Sequence, residues 1–174
     1  ARPEAEWSHA VHVLRALATA QASQQALLRT ECVHDVLCMC AEHCSPSSSG
    51  RKLRAAATEL AATLVARAMS RPLVAYLHKH DTLRAMLRAW AGFEGWETDE
   101  CVALLLLLVA LLRHSQQTGT GALLADFATH GGYQRALELV AWLEQRSDAP
   151  RTATTAVDLV VQLLDTGVDP LRVP

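Results

Sequence analysis

The chain has 174 residues, enough to bury a substantial core without a metal or disulfide staple. Apolar residues make up 51% and charged residues 20%, which excludes a disordered segment, and the formal net charge of −2 argues against a dedicated nucleic-acid binder. Ala and Leu dominate, aromatics are scarce at 5%, and β-branched residues never gather into alternating runs, so the fold class is all-α.

In chain order, the first helix begins near Glu4, with Trp7, Ala10, Val11, Leu14, Leu17 and Ala18 at helical spacing. A short helix from Ser23 to Arg29 follows, with Ser23 as its N-cap, and a third runs from Glu31 to His43. Residues Cys44 to Gly50 have turn chemistry and form a loop. The next long helix covers Arg51 to Met69; Ser70 then caps a short helix carrying Pro72, Leu73, Val74 and Leu77. Asp81 or Thr82 opens a helix bearing Leu83, Met86, Leu87 and Trp90, which stops at Gly92. A third long helix spans Thr98 to His114. Its run from Cys101 to Leu112 falls short of the roughly 20 residues a bilayer span needs, so it reads as a buried core helix, not a transmembrane segment. Short and long helices follow at Ala122 to Thr129 and Tyr133 to Arg146, and a last one lies near Thr152 to Thr166.

These elements repeat. Leu28, Leu77 and Phe127 close successive short helices, 49 and then 50 positions apart. The third helices all open alike, with Val33 and Leu37, Leu83 and Leu87, and Tyr133 and Leu137 expected in the core. A period in this range marks stacked units that bury their apolar faces against each other. The expectation is one domain over residues 1–174: an armadillo-like α-solenoid of three three-helix repeats (about 4–44, 51–92 and 98–147) plus a capping helix at 150–168. Lacking an initiating Met or a signal-like start, the chain reads as a cytoplasmic piece of something larger.

In such an array the third helices line a concave face. Superposing the units puts His34, Arg84 and Gln134 at one position, Cys38, Arg88 and Glu138 one turn on, and Trp142 a further turn along. Arg84 and Arg88 present two guanidinium forks to carboxylates or phosphates, and Trp142 offers an aromatic anchor for a protein partner. The alternative is that both arginines are ordinary solvated residues and that Trp142 packs on the final helix. Charge is uneven: residues 51–90 carry eight basic side chains against Glu59 and Asp81, whereas residues 91–174 carry five basic and eleven acidic. The basic middle unit could draw an acidic partner, or make peripheral contact with an anionic membrane.

Chemistry finds little foothold. Cys32, Cys38, Cys40 and Cys44 crowd one helix near His34 and His43, but no C-x-x-C pair exists, and Cys38 and Cys40 point to different faces. Buried, reduced thiols at Cys32, Cys40 and Cys101 are the expectation, with no metal. There is no G-x-S-x-G and no H-E-x-x-H, and Gly119-Thr-Gly121 lacks the Lys of a phosphate loop. His78, His80 and His130 read as surface residues or helix-end caps. Neither an enzyme nor a cofactor is expected.

Three stretches look familiar beyond their period: Arg51-Lys-Leu-Arg54 with the helix leading into Val74-Ala-Tyr-Leu-His-Lys79, Leu123-Leu-Ala-Asp-Phe127 leading to Gly132-Tyr133, and Leu143-Glu-Gln145. In this order they resemble the N-terminal armadillo-like region of BEACH-domain scaffolds with WD repeats and a FYVE domain, the autophagy-linked FYVE protein family. The similarity covers most of residues 5–168, while the Ala-rich composition and the Gly131-Gly132 pair depart from it. The resemblance implies a large cytoplasmic scaffold in selective autophagy or vesicle trafficking that reaches phosphoinositide membranes through other domains. No BEACH, WD-repeat or FYVE motif lies in these residues. The function expected is a protein-interaction or scaffold segment, with an architectural spacer packing on its parent chain and an anionic-membrane module as rivals.

Overall fold

A computed structural model describes residues 4–20, 29–42, 48–90 and 96–145, with further helical positions at 154, 157–158, 161–162 and 165. It contains α1 (Glu4–Thr19), α2 (Thr30–Glu42), α3 (Ser48–Ala68), α4 (Arg71–Lys79), α5 (Thr82–Trp90), α6 (Thr98–Gln117), α7 (Ala122–Thr129) and α8 (Gly132–Glu144). The described residues include no strand, so the chain is all-α. Outside the described residues lie the short helix expected at 23–28 with Leu28, positions 44–47 of the expected loop, and most of the terminal helix. The side chains of Trp7, Val11, Leu14, Ala18 and Trp90 also lie outside them. Helix α3 starts at Ser48, earlier than turn chemistry suggested, because Ser48, Ser49 and Gly50 supply its first turn.

Helix ends follow local chemistry. Ser70 caps α4, its hydroxyl accepting from the Leu73 N–H at 3.4 Å, with Pro72 in the first turn. Glu97 and Glu100 form a capping box at the start of α6, where the Glu100 carboxylate accepts from the Glu97 N–H at 2.9 Å. The turns from α4 to α5 and from α7 to α8 use one geometry. Asp81 (φ 51°) and Gly131 (φ 74°) hold the same left-handed position, reached after His80 and His130 cap the short helices.

Like packs on like. The long helices form one row, α1 on α3 and α3 on α6; the third helices form another, α2 on α5 and α5 on α8; short α4 packs on α7. Helix α3 therefore has neighbours on several sides and buries Leu53, Ala56, Ala57, Leu60, Ala61, Leu64 and Val65. Helix α6 buries nearly every residue from Leu104 to Leu112, which explains its leucine run, and Leu106 alone of that run is half exposed, at 51%. Each fully buried leucine contributes about 1.5–3 kcal/mol, so the rows carry most of the stability. Among the described residues, no helix is long and apolar enough to cross a membrane.

Several side-chain bonds join helices across 46 to 48 positions. Arg51 pairs with Glu97, Arg71 Nε donates to the Thr118 carbonyl at 2.9 Å, and the His78 ring meets the Asp126 carboxylate at 2.8 Å. The strongest is buried: Arg54 (4% exposed) grips Glu100 (10%) at 3.0 and 3.1 Å and lies over the Trp96 ring at 4.3 Å.

At the third unit a larger core residue is matched by a smaller neighbour. Phe127 fills the place of Leu77, and Gly132 fills that of Thr82; a Cβ on Gly132 would meet the Phe127 ring at 2.5 Å. The Gly131-Gly132 pair thus answers one residue that needs φ > 0 and one that yields space to an aromatic ring.

Gly132→Ala should destabilise the chain by about 1–3 kcal/mol through overpacking, and adding Phe127→Leu should recover most of that loss in urea denaturation. Glu100→Ala should cost about 3 kcal/mol by leaving the Arg54 charge buried and unpaired, whereas Arg54→Met with Glu100→Leu should recover much of it.

Candidate functional site

The row α2–α5–α8 carries every residue singled out for partner binding, and its junctions differ. At the first, His34 is half-buried, not splayed into solvent. Its Nδ1 lies 2.8 Å from Thr82 Oγ1, while the Thr82 hydroxyl lies 2.9 Å from the Leu77 carbonyl. Thr82 has a single O–H, and the carbonyl can only accept, so His34 Nδ1 carries the proton and donates to Thr82. Tyr76 meets His34 edge-on at 5.9 Å, and His80 stacks on Tyr76 at 4.2 Å. Cys38, half-buried one turn along α2, lies 3.8 Å from the His34 ring. His34 and Cys38 therefore form part of the seam between helices. Thr82 is fully buried in that seam.

The second junction is cationic. Arg84 and Arg88, both exposed, stand one turn apart on α5 and line a pocket of about 180 Å³ with Leu87, His130 and Arg135. Arg84 is 3.8 Å from Asp81, whose other oxygen is 4.0 Å from His130 Nε2. Arg135 is 3.7 Å from Glu138. These separations exceed hydrogen-bond length, and Asp81 and Glu138 are 60% and 44% exposed, so the pairs are weak.

Gln134 and Glu138, both exposed, bond to each other at 3.2 Å along α8. Trp142 is half-buried against the core. The structure thus brings Arg84 and Arg88 together, Gln134 and Glu138 together, and His34 and Cys38 together.

Leu137, expected in the buried row beside Leu37 and Leu87, is instead 50% exposed. Helix α8 buries Gly132 and Ala136, the counterparts of the buried Thr82 and Met86 on α5, together with Leu139 and Leu143, and leaves the flank matching Leu87 uncovered. Among the described elements, α5 packs against both α2 and α8, whereas the packing of α8 is chiefly on α7 and α5. Arg135, which the superposition passed over in favour of Gln134, lines a pocket with Arg84 and Arg88 of α5. Tyr133 packs edge-on against Phe127 at 5.0 Å, and burial raises its phenol pKa above the ordinary value of 10.0.

Among the thiols, Cys40 and Cys101 are fully buried and Cys32 half-buried; Cys40 Sγ donates to the Val36 carbonyl at 3.2 Å. No cluster of three metal-ligating side chains occurs among the described residues. A second concavity of about 530 Å³ lies between α3 and α6, walled by Ala55, Ala62, Ala103 and Ala110, with Leu106 on its rim and Trp96 at one end. Comparison of the chain with protein-family models, curated proteins and solved structures returns no match.

Thr82→Val keeps the volume but removes the hydroxyl shared by His34 and Leu77. It should lower stability by about 1–3 kcal/mol in denaturant titration, whereas Thr63→Val, at a helix-surface hydroxyl, should change it little.

Proposed function

We propose that this chain is a non-enzymatic interaction segment, an armadillo-like α-solenoid of three repeats that offers its α2–α5–α8 face to a protein partner. The observation that carries this reading is the lateral row of third helices with Arg84 and Arg88 exposed beside one pocket at its second junction. A row of this kind gives an extended, rigid surface in which each unit contributes a few side chains, and that geometry suits a peptide or helix better than a small substrate. The basic middle unit adds attraction for acidic partners. On the resemblance to BEACH-domain scaffolds, the parent chain would be a large cytoplasmic trafficking or selective-autophagy protein, with this segment as one of its docking surfaces.

A second reading has its own support. Leu106 and the alanine-walled cleft between α3 and α6 form an apolar surface on the long-helix row, as expected if this segment is an architectural spacer packing on the rest of its parent. Such a spacer would self-associate when isolated.

Affinity capture from cell extract should recover partners with the wild-type chain and lose them with Arg84→Glu plus Arg88→Glu, at an unchanged melting temperature. Equal recovery by both would remove the α5 face from the reading, and concentration-dependent self-association with no capture would favour the spacer.

A further inference from the structure

We propose that Arg84, Arg88, His130 and Arg135 form a phosphoryl-binding pocket that takes a phosphoserine or phosphothreonine of a protein partner. This ligand class deepens the reading of the α5–α8 face as an interaction surface and rests on it.

Four nitrogen-bearing side chains reach the pocket from three elements: Arg84 and Arg88 from α5, His130 from the cap of α7, and Arg135 from the first turns of α8. Convergence from separate helices makes a recess, where a single helix would give only a stripe. Leu87 closes its floor at 2% exposure, so the surrounding donors work beside an apolar wall that strengthens their attraction for an anion. The recess, of about 180 Å³, has room for one phosphoryl group with a few waters.

The charges inside are available. Arg88 has no acidic partner within 4.0 Å among the described residues, and Arg84, His130 and Arg135 meet Asp81 and Glu138 only at 3.7 to 4.0 Å. A dianion that forms short charge-assisted bonds outcompetes such loose, solvated pairs.

Number of oxygens decides between anions. A carboxylate fills one guanidinium fork, whereas a phosphate monoester offers three oxygens and a charge of about −1.5 to −2, matching several converging donors. A bilayer fits less well, because it samples the whole face at once. Asp81 and Glu138 stand at the pocket's rim, and they oppose an extended anionic sheet more than a single inserted group.

The test is a titration of the intact chain with a fluorescent capped pentapeptide, Ala-Ala-phosphoserine-Ala-Ala, in 50 mM salt. The same peptide carrying Ser or Glu, inorganic phosphate as competitor, and vesicles containing a phosphatidylinositol phosphate form the other arms. Saturable binding of the phosphopeptide, displaced by phosphate and much weaker for the Ser and Glu peptides, is expected. Arg88→Gln with Arg135→Gln should weaken it about tenfold or more. Lys52→Gln with Lys79→Gln removes the same charge from exposed sites outside the pocket and should leave binding within about twofold. Thermal melts confirm that both pairs fold.

Absence of a preference for the phosphorylated peptide, equal loss in the two charge-matched pairs, or binding to the vesicles alone would each overturn the assignment. Partner capture that depends on Arg84 and Arg88 without phosphopeptide binding sinks the phosphoryl pocket and leaves the wider surface standing. Phosphopeptide binding alongside capture indifferent to those arginines upholds the pocket and removes the surface.

Discussion

The constraint on which the described structure depends is that its long helices cover their apolar faces on one another, α1 on α3 and α3 on α6, with α2 packed on both α3 and α5. A single three-helix unit here could not shelter the leucines of α6, which are buried on nearly every side of the helix. Those side chains leave water only because α3 flanks one side and α7 another. The polar bonds follow suit, since Arg54 to Glu100, His34 to Thr82 and His78 to Asp126 each tie a helix to its equivalent. Hydrophobic burial supplies the energy, and these paired polar groups fix how the helices slide against one another.

Within that constraint the units differ where neighbouring side chains must agree in volume. Leu77 is small enough to leave Thr82 room for a hydroxyl that bonds back to the Leu77 carbonyl and across to His34. Phe127 takes that room for its ring, and position 132 is left with no side chain at all. The first junction is consequently sealed by a polar seam, whereas between α7 and α8 the Phe127 ring packs edge-on against Tyr133. Surface properties follow from this. Arg84 and Arg88 are exposed on α5, and at the second junction they meet His130 and Arg135 with little direct compensation.

Much of the local structure was legible in the order of residues. The cap at Ser70, the break at Gly119 to Gly121, the burial of Cys40 and Cys101 and the helical nature of the leucine run all arise from short-range chemistry that a window of ten to twenty residues contains. The near-50 spacing was equally visible, since core positions must recur where like helices pack on like. Facing of individual side chains was harder. His34 sits at the position matching Arg84, yet it turns into a seam because Thr82 offers it a hydrogen-bond acceptor. Leu137 matches Leu87, yet it stands half exposed.

The amino-acid order by itself determined the all-helical character and the boundaries of the described helices to within a few residues. Propensity, capping and periodicity act along the backbone and need no knowledge of neighbours. Only the tertiary structure decided the exposure of Leu137, the partnership of Thr82 with His34 and the meeting of three arginines and a histidine from α5, the cap of α7 and α8. Those outcomes turn on which faces touch across some fifty residues of chain, and a rotation of one residue on a helix replaces every side chain at a junction.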